Sequence, residues 1–169
     1  MTFAARLALA CALGLGATGA AVAHPGAPHA PPASSSAMSP EAQTAAQTVD
    51  AFHDALARGD AAAAGALLDD TALIFEEGEA EQSKSAYVAG HLPADIAYLK
   101  AVRDVVAARR GGAAGGLAWI ATEGRAQGRY HDKAVDRRTT ETMVLRRTTQ
   151  GWRIVHIHWS SHATASPGA

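Results

Sequence analysis

Cysteine is nearly missing from this chain: among 169 residues there is one, Cys11. It lies in the opening segment 1–23, which has the marks of an export signal. Arg6 supplies the positive start, residues 7–16 an apolar run too short to hold a bilayer as a permanent helix, and Ala21-Val22-Ala23 a small-residue cleavage site. Cleavage there would start the mature chain at His24 and leave no disulfide, thiol nucleophile or thiolate metal site. The expected location is periplasmic or secreted. A second apolar run of membrane length is lacking, so no membrane attachment is expected after signal cleavage. Charge of one sign is lacking as well. The 15 Lys and Arg against 16 Asp and Glu leave a formal net charge of −1. Arg109-Arg110, Arg137-Arg138 and Arg146-Arg147 are scattered among acids, which argues against nucleic acid as a partner. There is no serine elbow, phosphate loop or dinucleotide fingerprint, so those enzyme classes are excluded. No internal repeat is present.

What remains after the signal is about 146 residues, enough for one domain with a core. Residues 24–38 are rich in Pro, Ala, Ser and His and read as a disordered leader; His24 and His29 there are loose metal candidates. The folded domain is expected over 39–162, with a disordered tail at 163–169. Ser39-Pro40-Glu41 starts a helix, with a capping hydroxyl, a proline in the first turn and an acid beside it. Ala45, Val49, Phe52 and Leu56 then make one apolar stripe, and His53 falls beside it, on the expected solvent side. Gly59 ends this helix and Asp60 caps a second, Ala-rich one closing near Leu68-Asp69. Residues 71–76 read as a short strand and 77–82 as a polar loop. Ser83 caps a third helix, which carries Tyr87, His91 and Asp95 at spacings of four, on one face until Pro93 disturbs it.

The second half alternates. Residues 101–109, 117–130 and 134–147 read as strands, separated by a glycine-rich loop at 111–116 and a turn at 131–133. Gly124 and Gly128 are expected at bulges or bends. Residues 151–162, GWRIVHIHWSSH, form a last strand. A period of two puts Trp152, Ile154, His156, His158 and Ser160 on one face. Helices segregated from an antiparallel meander give an α+β domain, and a curved sheet around helices leaves a cavity at its mouth.

The hairpin FHDALARGDAAAAGALLDD, the segment SKSAYVAGHL and above all RRTTQGWRIVHIHWSSH resemble the nuclear-transport-factor-2-like superfamily, and within it the SnoaL-like group. The end of the chain is also similar to the association domain of calcium/calmodulin-dependent kinase. The resemblance implies a cone-shaped, curved antiparallel sheet wrapped around three N-terminal helices, and a homodimer through the outer sheet face. It does not fix an activity, because the superfold carries isomerases, cyclases, dehydratases, transport adaptors and oligomerisation hubs. The kinase domain's cavity arginine would fall near Met143, so that feature is missing.

If the His156/His158 face lines the cone, His158 meets the Tyr87/His91/Asp95 edge of the third helix, and Glu141 on the neighbouring strand joins them. Three readings follow. The first is an exported small-ligand-binding domain, its cavity lined by Tyr87, His91, His156, His158 and Glu141. The second is an isomerase, cyclase or lyase using His91 and Asp95 as general base, since imidazole and carboxylate exchange protons near neutral pH. The third is a periplasmic metal-binding protein holding a divalent ion, zinc or copper, with His91, His158 and Asp95. Against all three stands the plain alternative that His91 and His158 are hydrogen-bonded core residues tying helix to sheet. Tyr87, Trp119 and Trp159 read as core, and Glu76, Glu77, Glu79 and Glu81 as an acidic rim.

Overall fold

The computed structural model describes residues 38–164. The export signal, all but the last residue of the leader, and tail residues 165–169 lie outside the described residues. Among the described residues no helix is long and apolar enough to cross a membrane.

Helix α1 (Pro40–Arg58) begins where its caps predict: the Ala42 N–H donates to Ser39 Oγ at 3.3 Å. Its stripe of Ala45, Val49, Phe52 and Leu56 is fully buried. Gly59 ends it with φ 76°, a left-handed cap that glycine adopts without a Cβ penalty. Helix α2 (Ala61–Leu67) is capped by Asp60 Oδ1. It runs straight into strand β1 (Leu68–Glu76), which therefore starts earlier than expected. Glu77 and Gly78, both with positive φ, make a two-residue turn. The following Glu79–Glu81 is a strand, β2, paired back on β1, where a loop was expected.

The expected third helix is two. Helix α3 (Lys84–Ala89) stops at Gly90, and α4 (Leu92–Ala101) restarts with His91 at its N-cap and Pro93 in its first turn. Proline has no N–H to continue the ladder, and it suits the first turn of a new helix. The meander follows: β3 (Val102–Ala114), β4 (Leu117–Tyr130), β5 (Lys133–Thr148) and β6 (Gly151–Ala163). Gly111 and Gly112 belong to β3, opposite Ile120 and Trp119, rather than to a loop. A side chain at Gly112 would meet the Trp119 indole at 2.8 Å, so the absence of a Cβ lets the large neighbour lie across the strand. Gly128 does similar service, since a Cβ there would sit 2.4 Å from the Ala101 carbonyl. Strand β6 extends past the expected domain end, and the Thr164 N–H donates to Asp136 O at 3.1 Å.

The curved sheet has the order β2-β1-β6-β5-β4-β3. All neighbours are antiparallel except β1 and β6, which run parallel. Its inner face carries Ile120, Met143, Leu145, Ile154 and Ile157 against Val49, Phe52, Leu56 and Tyr87. The α+β architecture is as expected.

One local feature reverses the expected facing of β6. Leu145 pairs with Ile154, but Val144 pairs with His156, so Val155 is an extra residue, a β-bulge. Before it, Trp152 and Ile154 point inward. After it the parity changes, and Ile157 and Trp159 take the inner face. His156 and His158 are turned to the outer face. His156 Nδ1 is 2.9 Å from Leu73 O, and both imidazoles meet the Phe75 ring edge-on at centroid distances of 5.4 and 6.2 Å.

Candidate functional site

Because of the bulge, Trp159 closes one side of a small cavity between α1, α4, β1 and β6. Its volume is about 90 Å³, and Leu56 and Leu99 complete its apolar walls. Two polar groupings stand at its margins.

The first is built on His53. The residue follows Phe52 on α1 and so sits at the edge of the buried stripe. Glu141 on β5 lies opposite Trp159 in register and shares the inner face with Met143 and Leu145. His53 Nε2 is 2.6 Å from Glu141 Oε2, and the Trp159 indole N–H donates to the same oxygen at 2.8 Å. Burial alone would lower the imidazole's pKa, but the charge of Glu141 and its hydrogen bond outweigh it and hold His53 above its usual value. Burial likewise pushes Glu141 up. The His53 charge and the hydrogen bonds from His53 and Trp159 win, so its carboxyl titrates below its usual value. Each partner thus favours the charged form of the other, and Glu141 is only 7% exposed. Engaging Nε2 leaves Nδ1–H as the donor the ring can offer to a ligand. Glu141 Oε1 is buried with no protein partner among the described residues.

The second grouping is a pair of carboxyls. The Tyr87 hydroxyl donates to Asp95 Oδ2 at 2.6 Å. Burial raises Asp95, and the Tyr87 hydrogen bond and the His91 charge offset this only in part. Glu76, the last residue of β1, is pushed up to about 7 by burial, then by the charges of Asp95 and Glu77. Two carboxyls in one enclosed space do not readily ionise together. Glu76 Oε2 is buried without a partner among the described residues. Outside this pair, His91 Nδ1 faces Glu81 Oε1, and the Glu81 side chain is nearly buried. His91, Asp95, Glu76 and Tyr98 border an open cleft of about 560 Å³. On the other flank, His53 and Leu99 border a second cleft, of about 550 Å³. There Arg109 Nη1 donates to Asp50 at 2.6 Å and Arg109 Nε to Thr122 Oγ1 at 3.2 Å.

The structure brings Tyr87 to Asp95 across the break between α3 and α4, sets His91 on Glu81 instead, and places Glu141 facing inward but against His53. It does not bring His156 or His158 to them; the bulge puts both on the far side of the sheet, and His158 is exposed. The ligand roles assigned to these two rings and the metal set His91, His158 and Asp95 therefore fail on geometry. Among the described residues no three His, Cys, Asp or Glu side chains converge to hold an ion. His53, expected at the surface, is the central missed residue; Tyr98 and Trp159 were missed as site walls. One signal was in the sequence: Glu141 is in phase with Met143 and Leu145, and Glu76 with Ala72 and Ile74. A carboxylate at a core position demands a partner.

Comparison with known proteins gives this geometry a family. The family of SnoaL-like domains matches residues 45–164. Among solved structures, a candidate ketosteroid isomerase from Shewanella frigidimarina is 34% identical, with a TM-score of 0.69 over 73% of this chain and 100% of its own. A candidate dehydratase of the nuclear-transport-factor-2-like family from Streptomyces avermitilis is 16% identical, with a TM-score of 0.64 over 73% of this chain and 97% of its own. The association domain of C. elegans calcium/calmodulin-dependent kinase II is 18% identical, with a TM-score of 0.58 over 70% and 93%. The last two share the fold alone. No curated protein gives a significant match. By its matched segment, its curved sheet and its enclosed helices, the chain belongs to the SnoaL-like family of nuclear-transport-factor-2-like domains.

Proposed function

We propose that the domain binds a small molecule in the cavity between α1, α4 and β6, with a carbonyl or carboxylate oxygen of the ligand received by His53. The observation that carries this reading is the His53–Glu141 pair. A buried carboxylate holds the ring in one orientation and favours its charged form, as suits a preorganised donor. The Trp159 N–H fixes the carboxylate in turn. The test is a screen of small carbonyl and carboxylate compounds followed by the His53 ring resonances in NMR. Binders are expected to shift those resonances and to lose affinity in His53→Ala. Compounds that bind that variant as tightly as the wild type would refute the reading.

Turnover is the second reading, and the Glu76/Asp95 pair favours it. A carboxyl that titrates near 7 suits general acid–base work at neutral pH. Asp95, held by Tyr87, would take a proton beside the ligand's carbonyl, Glu76 would return it, and the His53 imidazolium would hold the charge on oxygen. This replaces a His91/Asp95 base with a Glu76/Asp95 one, and leaves His91 at the cleft rim. The isomerase description of the 34% identical relative points the same way. Deuterium wash-in from heavy water next to the carbonyl of a bound enone, lost in both Asp95→Asn and Glu76→Gln, is the expected result. Wash-in that survives both substitutions counts against it.

The same proposal includes export through the signal at 1–23 and pairing of two copies through the outer sheet face. That face exposes Trp119 and Phe75, and association-domain and hub structures share the fold.

A further inference from the structure

The 90 Å³ cavity is too small for a compact ligand, yet it is not isolated. It shares His53 and Leu99 with the cleft on the α1/β3 flank, and Glu76, Asp95 and Tyr98 with the cleft on the α4/β5 flank. The small space thus borders both clefts, which share no lining residue with each other. Compact drug-sized ligands occupy single cavities of roughly 300–1,000 Å³, and a benzene ring fits a cavity of about 150 Å³. A space of about 90 Å³ suits a polymethylene segment better than a fused ring system.

We infer that the three spaces form one passage, and that its ligand is a linear molecule threaded through the waist. It carries a hydrogen-bond acceptor at the His53 end and a hydroxyl or ammonium donor at the Glu76 end. The inference rests on the proposed role of His53 as the ligand's donor and adds the shape and the far end. The waist is walled by Leu56, Leu99 and the Trp159 indole, surfaces that suit methylene groups. The two ends differ in chemistry. At one, the His53 ring, held by Glu141, is the donor. At the other, Glu76 Oε2 is buried with no partner among the described residues, and such an atom is costly unless a ligand or water satisfies it. The cleft beyond it mixes Glu77 and Glu79 with Lys133 and Arg137, so the preference for a donor comes from the Glu76 oxygen itself.

The test uses two probes with the same end groups and different shapes, 8-hydroxyoctanoate and 6-hydroxy-2-naphthoate, titrated calorimetrically into the full domain. The linear probe is expected to bind at least about tenfold more tightly. Leu99→Trp, which fills the waist, should weaken it by about the same factor. Leu99→Ala, which widens the waist, should bring the fused-ring probe closer to it. This pair of opposite effects separates a blocked passage from a damaged fold. If the naphthoate binds equally well or better, and His53→Ala abolishes both, the passage is refuted while the His53 reading stands. If His53→Ala leaves the linear probe's affinity unchanged, or neither probe binds, the reading and the inference built on it both fall.

Discussion

Glu76 is the residue at which the cavity's electrostatics reach into stability. Folding raises its carboxyl from 4.5 to about 7, chiefly by burial. Between those values the folded protein keeps a proton that the unfolded chain has released, so stability falls as pH rises through that window. Above it the folded state carries a partly buried, poorly partnered charge. Glu76→Gln keeps the shape and removes the charge. It is expected to stabilise the domain by roughly 1–3 kcal/mol at alkaline pH and to change little in acid, below the unfolded value. Urea titrations at the two conditions check this; equal effects at both would show that the gain is packing. His53 acts in the same direction. Its pKa is raised, so its contribution is complete below the unfolded value and is lost as pH climbs through the folded one. Glu141 has the opposite sign, being lowered, and its contribution is lost as pH falls through its folded value. Both inward carboxylates were legible from their phase with apolar neighbours. His53 was not, because what brings it into the site is a strand residue 88 positions away.

At the scale of the element, β6 decides what the cavity contains. The four strands of the meander and most strand ends follow from alternation and glycine punctuation, and β4 runs from Leu117 to Tyr130 as its sequence predicts. The side each residue faces does not follow, because the bulge at Val155 leaves no mark in composition: a valine between an isoleucine and a histidine reads as ordinary strand. A one-residue shift of phase moves a whole side-chain set to the other face. Deleting Val155 should remove the bulge and join Ile154 directly to His156, so that a regular ladder keeps the Leu145–Ile154 and Val144–His156 pairs and leaves Ile157 and Trp159 facing inward. Ile157, fully buried, keeps its place, so the deletion is expected to cost under about 3 kcal/mol, from the lost local twist, and to keep the near-ultraviolet dichroism of packed tryptophan. Val155→Ala, which keeps the count, should cost under about 1.5 kcal/mol. A deletion variant that loses this dichroism would mean that the strand slips by one residue and turns Ile157 and Trp159 outward. The break between α3 and α4 was partly legible at Pro93; that it falls where His91 meets Glu81 depends on β2, which reads as loop because three residues of Glu-Ala-Glu carry no strand signal.

The whole molecule has a second consequence of the bulge, on the opposite side of the sheet. Turning His156 and His158 outward sets them into two cross-strand rows, Trp119–Val144–His156–Leu73 and Ala121–Thr142–His158–Phe75. Trp119 is 48% exposed and Phe75 38%, large aromatic surfaces on the face where the fold resemblance implies a partner. A stable pair needs roughly 800 Å² from each copy, centred on such anchors. Trp119 lies over Gly112 on the outer surface, away from the cavity, so a charge there tests association without touching the site. Trp119→Glu is expected to convert a dimer to a monomer in light scattering after size exclusion, with the melting temperature falling as the protein is diluted in the wild type but not in the variant. Binding of small ligands at His53 should be unchanged per chain in that variant, because the two faces of the sheet are separated by the full layer of β5 and β6. A wild type that is monomeric at high micromolar concentration, or a variant with an unchanged mass, would assign these aromatics to some other partner and remove the second copy from the proposal.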